Sequence, residues 1–126
     1  MGITLYKNAD WILTVNEKRE KFRHGDLLIS GKEILDVGND LEKKYAGKLQ
    51  IDTTIDAKGT VILPGFVNVH HHTWQSLIRN IQATRGLKLE PWLTVMYEIY
   101  KDLNTDVARA GVYSGLGDML KTGCTT

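Results

Sequence analysis

The stretch "VILPGFVNVHHHTWQSLIR", residues 61–79, carries an apolar run through Pro64 and Gly65 into three consecutive histidines. Val61, Ile62, Leu63, Phe66, Val67 and Val69 form a nearly continuous hydrophobic series, the pattern of a strand buried on both faces. Pro64 cannot donate a ladder hydrogen bond and so marks a strand start or a bulge, which places the start of the principal strand near Gly65. In an extended segment alternate side chains share a face, so His70 and His72 project together and His71 projects away. Neutral imidazole is a common ligand for zinc and similar divalent ions, and two such nitrogens on one strand face can converge on a single ion. The plain alternative is a pair of half-exposed or hydrogen-bonded residues at a strand end. H-x-H spacing by itself leaves both readings open.

Downstream the texture is helical. "TWQSLIRNIQ" reads as a turn or two of helix, and "PWLTVMYEIYKDL" as a helix with Pro91 at its first position. "NTDVARAGVYSGLGDMLKTG" follows, with Thr105 as the expected N-cap, Asp106 in the first turn and Gly123 at C′. Val107, Gly111, Ser114 or Gly115, and the pair Met119 and Leu120 define one face. Gly111, Gly115 and Gly117 weaken helix propensity there but permit close packing.

Upstream, from residue 3 to about 56, the apolar residues come in short groups rich in Ile, Leu, Val and Thr: "ITLY", "WILTV", "DLLIS", "EILDV" and "IDTTID". This is strand texture. "GK" at Gly31 and Lys32 joins the third and fourth groups as a two-residue type II′ hairpin turn. "NDLEKKYAG", residues 39–47, is expected to hold a short helix closed by Gly47. His24 falls before Gly25 in an expected turn, where a solvated loop residue is the default reading.

With 126 residues, 42% hydrophobic and 25% charged, the chain fits one ordinary globular domain. Sixteen basic against fifteen acidic side chains leave a formal charge of +1, too little to favour nucleic acid or anionic membrane as a partner. No secretory leader or bilayer-spanning run is apparent, and the lone Cys124 cannot form an intrachain disulfide, so the expectation is a soluble, cytoplasmic chain.

Taken together, "LPGFVNVHHH", the following "PWL" and "TDVARAGVYSGLGDMLKTGCTT" resemble, in this order, the amidohydrolase superfamily, in which a Pro-Gly step precedes the first barrel strand and H-x-H ends it. The similarity is to its cytosine, guanine, 8-oxoguanine, triazine and S-adenosylhomocysteine deaminase branch. The triple histidine and Gln75 are most similar to the 8-oxoguanine deaminase and hydroxyatrazine aminohydrolase group. Residues 3–60 resemble the small β-sandwich that such enzymes build from both chain ends. The resemblance therefore implies an α/β fold: residues 1–60 as the amino-terminal part of a β-sandwich, and residues 61–126 as the start of a metal-dependent (β/α)8 barrel, incomplete in this chain.

The resemblance also implies a chemistry. A divalent metal, zinc with iron as the alternative, is held by His70 and His72 and by residues of later strands, and lowers the pKa of a water for attack on an aminated heterocycle of purine or triazine type. Gln75 matches a position that contacts the heterocycle, its amide able to donate and accept, against the plain reading of a polar helix-start residue. Trp92, like Trp74, is a candidate wall of an aromatic substrate pocket, against the plain reading of a core aromatic. No catalytic residue beyond the two metal ligands has its motif here, and neither His24, Glu90 nor Asp118 has a spacing that obliges it to join them.

A complete barrel takes about 250 residues. The chain is thus expected to be an amino-terminal fragment with little or no activity alone, its unpaired edge open to self-association. Two other readings stand beside this one: a non-catalytic α+β interaction module, and one half of a split enzyme.

Overall fold

The computed structural model describes residues 2–126, and contacts divide the chain into a unit ending at Pro64 and a unit beginning at Gly65. The fold is α/β. Among the described residues no helix is long and apolar enough to cross a membrane.

In the first unit β1 (Ile3–Leu13) is the spine of a mixed sheet. β2 (Lys21–Ser30) pairs antiparallel with β1, and β3 (Glu33–Gly38) pairs antiparallel with β2. The other edge of β1 is shared by two short parallel strands, β4 (Thr53–Asp56) along residues 4–7 and β5 (Val61–Ile62) along residues 11–12. Between them the chain jogs through a turn in which Thr60 N–H donates to Ala57 O at 3.1 Å and Gly59 takes φ +81°. The expected hairpin is present: Ser30 faces Glu33, and Gly31 takes φ +57° while Lys32 does not enter positive φ, as type II′ geometry requires.

Two sequence expectations are corrected here. "ITLY" and "WILTV" are one strand, because a β-bulge absorbs the polar break between them: Tyr6 pairs with Leu27 and Ala9 with Gly25, so Lys7 and Asn8 together oppose Asp26. His24 lies inside β2 at φ +50°, two residues before Asp26, and the turn expected there is absent.

Asp26, 4% exposed, holds the distortion together. One carboxylate oxygen accepts from Asn8 N–H at 3.1 Å, and the other accepts from Leu41 N–H at 3.0 Å, at the start of α1 (Leu41–Tyr45). Leu41 then packs with Leu5 and Leu28, and Ala9, Ile12 and Ala57 form a second buried cluster.

In the second unit a 3-10 helix (Thr73–Ile78) and a shorter one (Gln82–Thr84) lead into α2 (Leu89–Tyr100) and α3 (Thr105–Lys121). Pro91 is the third residue of α2, not the first. The N–H groups of a helix's first turn have no intrahelical acceptor, so proline is tolerated there as well, and Trp92 N–H makes the i−4 bond to Lys88 O at 3.0 Å. The cap of α3 is Asn104, not Thr105: its side chain accepts from Val107 N–H at 2.9 Å, three residues on.

The far end of α3 closes as expected on Gly123, at φ +88°. Cys124 N–H donates to Met119 O at 2.9 Å and Gly123 N–H to Leu120 O at 3.1 Å, the two bonds of a Schellman motif. α3 packs on the 3-10 helix Thr73–Ile78 through Gly111 and Gly115. A methyl at Gly111 would collide with the Trp74 carbonyl, and one at Gly115 would lie 2.6 Å from Ser76 Oγ. Gly117 has nothing near it and Leu120 is 71% exposed, so the packed face is narrower than the sequence pattern suggested.

The strand expected to be buried on both faces is not. Phe66 N–H donates to Gly123 O at 2.8 Å, Thr125 N–H to Phe66 O at 2.9 Å and Asn68 N–H to Thr126 O at 2.8 Å, a parallel contact with the segment after α3. Phe66, Val67 and Val69 are nevertheless 57%, 64% and 92% exposed, because burial needs covering elements on both faces and this pairing supplies one edge. Gly65 allows the close approach, since a Cβ there would overlap the Thr125 side chain.

Candidate functional site

The parallel contact ends at Asn68, and the histidines follow as the chain turns toward the 3-10 helix. His72 is its N-cap, at φ −98°, ψ 63°. The Nε2 atoms of His70 and His72 lie 3.1 Å apart, with ring centroids 4.9 Å apart and planes at 73°. Both rings are exposed. The separation is one that a single proton or a single cation can bridge. Two nitrogens bonded at about 2.0–2.1 Å to one tetrahedral zinc ion would lie about 3.3 Å apart, so the pair fits two corners of such a site with little movement. His71 takes no part in this contact.

Among the described residues no group of three or more His, Cys, Asp or Glu side chains is close enough to hold a metal ion. Asp118 is instead engaged by Arg79 at 3.0 Å. His24 stands in β2, in the other unit.

A groove of about 420 Å³ runs beside His70, lined by Phe66, Asn68, Met119 and Cys124 among others. Gln75 does not line it. Its Nε2 donates to the Tyr100 hydroxyl at 2.7 Å, and Tyr100 in turn meets Trp74 edge-on at 4.9 Å and Tyr97 at 5.9 Å. Burial, with a smaller contribution from Tyr97, raises the Tyr100 phenol above its ordinary value. Trp92 is half-buried near the start of α2 and does not line the groove at His70 either. Tyr100 was not singled out from the sequence, although Tyr97 and Tyr100, three apart on a helix, were the signal that could have found it.

Residues 61–126, just over half of the chain, match the sequence model of the amidohydrolase family. The chain belongs to the amidohydrolase family. Over 124 residues it is 36% identical to a 5-methylthioadenosine/S-adenosylhomocysteine deaminase of Bacillus cereus (strain B4264), an alignment covering 98% of this chain and 27% of that protein. Among solved structures it is similar to atrazine chlorohydrolase from Arthrobacter aurescens TC1, complexed with zinc, with a TM-score of 0.83 and 26% identity over 97% of this chain and 27% of that one. Guanine deaminase from C. acetobutylicum with bound guanine shares the fold at a TM-score of 0.71, with 23% identity over 98% of this chain and 29% of that one. This amidohydrolase chain thus spans about a quarter of the length of the curated relatives it matches.

Proposed function

We propose that this chain is the amino-terminal portion of a metal-dependent amidohydrolase that deaminates an aminated heterocycle of purine or triazine type, with His70 and His72 as two of the ligands of a divalent ion. The approach of the two Nε2 atoms to 3.1 Å supports this reading most directly. When bound, such an ion supplies an activated water near neutral pH and a Lewis acid at the ring carbon that loses its amine. Zinc suits a site of two imidazoles with further oxygen or nitrogen donors, and iron is the alternative.

The chain's own residues do the positioning. His70 and His72 present their ring Nε2 atoms together on an exposed surface. Gln75 contributes to the substrate site, its Nε2 committed to Tyr100 and its Oε1 left to accept from a ring N–H or an amino group. The remaining ligands and the proton-shuttling group belong to the part of the family's length that this chain does not span.

The test is ammonia release from S-adenosylhomocysteine, guanine and an aminotriazine. It uses the chain alone and the chain mixed with a polypeptide carrying the carboxy-terminal three-quarters of a family relative. Turnover in the mixture that vanishes in H70A/H72A is the expected result. Turnover that survives the double substitution would contradict the assignment.

A further inference from the structure

Residues 66–70 are oriented by hydrogen bonds rather than by packing. Phe66, Val67 and Val69 are mostly exposed, so no core contact fixes the direction in which the next side chain leaves the backbone. Asn68 supplies three fastenings. Its N–H donates to Thr126 O at 2.8 Å, its Nδ2 donates to Met119 Sδ at 3.3 Å, and its Oδ1 accepts from His70 N–H at 3.1 Å. The last bond closes a two-residue turn of the kind Asn forms with backbone two positions on, and it restrains the torsions that aim the His70 Cα–Cβ bond. The first two anchor that turn to the end of α3 and to the segment that follows it.

We propose that Asn68 is a positioning residue for the histidine pair: by clamping the His70 amide it holds Nε2 of His70 within bridging distance of His72. The inference rests on the metal reading given above and deepens it. It predicts that the pair's metal affinity depends on a neutral side-chain acceptor at position 68, a group that touches neither ion nor substrate.

The experiment is a Co2+ titration of the full chain followed by visible absorption, with His70 amide exchange measured by NMR, on wild type, N68A, N68S and H70A/H72A. A serine hydroxyl can make the same turn more weakly and adds no charge. Losing one such hydrogen bond should weaken Co2+ binding about fivefold in N68A, N68S should recover much of that loss, and H70A/H72A should abolish binding. The His70 amide should exchange slowly in wild type and N68S and fast in N68A.

If H70A/H72A loses Co2+ but N68A binds as wild type, the positioning role is overturned and the metal pair stands. If H70A/H72A binds as wild type, or wild type binds no Co2+, the metal reading fails and this inference fails with it. Should N68A not fold, the role is still overturned by a wild-type His70 amide that exchanges at the unprotected rate or by an N68S affinity equal to wild type with that amide unprotected.

Discussion

Gly111 of α3 sits directly against the backbone carbonyl of Trp74. That approach lets α3 lie on the 3-10 helix carrying Trp74 and Gln75, which gives the segment after the histidines a packed support. A methyl group at Gly111 meets backbone, which cannot move aside as a flexible side chain would. G111A should therefore cost about 1–3 kcal/mol. G117A, in open space on the same helix, should stabilise by up to about 1 kcal/mol through helix propensity. Urea unfolding of the two variants checks the contrast, and equal effects would contradict the packing assignment.

The signals legible in the sequence were those carried by local chemistry. Gly31 alone reaches positive φ in the hairpin, Gly123 closes α3, and the rings of His70 and His72 meet, although outside any strand. What escaped depended on partners distant in sequence. Nothing near Asn8 says that a bulge will fuse two apolar groups into one strand, because the bulge is held by Asp26, eighteen residues away. Asn104 and Thr105 are both good caps, and the choice turns on which one reaches the third N–H beyond it. An apolar run reports only that a segment suits burial, so Val67 and Val69 read as buried and stand exposed. The Gln75–Tyr100 bond joins residues twenty-five positions apart, so even where the Tyr97–Tyr100 spacing marks the tyrosine, nothing local names its partner.

Asp26 should be costly to remove. D26A deprives Asn8 N–H and Leu41 N–H of their acceptor together, and unsatisfied buried donors cost about 1–3 kcal/mol each. A loss well above that of a typical surface substitution is expected in denaturant unfolding. Amide exchange should quicken at both residues, and protection unchanged at Leu41 would break the assignment.

Asp36 gives the first unit an acid-sensitive contact. Lys44, at 2.6 Å, and then the Tyr45 hydroxyl, at 2.9 Å, hold its carboxyl below the ordinary carboxylate value. A depressed folded pKa contributes stability that is present above the unfolded value near 4 and is lost as pH falls through the folded one. D36N should therefore be less stable than wild type at pH 7, with the gap closing below about pH 4. A pH-independent gap would show that ionisation plays no part.

Tyr100 should titrate late. Burial raises its phenol above the usual value near 10, so the stability it contributes is intact below that pH and lost as pH rises through the folded value. Ultraviolet titration should show a late component above the ordinary tyrosine range, to which Tyr45, raised by its bond to Asp36, also contributes, and the Tyr100 share of it should vanish in Y100F. The same variant leaves Gln75 Nε2 without its partner and should cost about 0.5–1.5 kcal/mol.

The most direct test of the account is zinc content by mass spectrometry after dialysis against Zn2+, for wild type and H70A/H72A, with the oligomeric mass recorded alongside. Zinc retained by wild type and lost from the double variant is the predicted result. Equal zinc in both, or none in a folded wild type, would contradict the claim that His70 and His72 form a metal-binding pair.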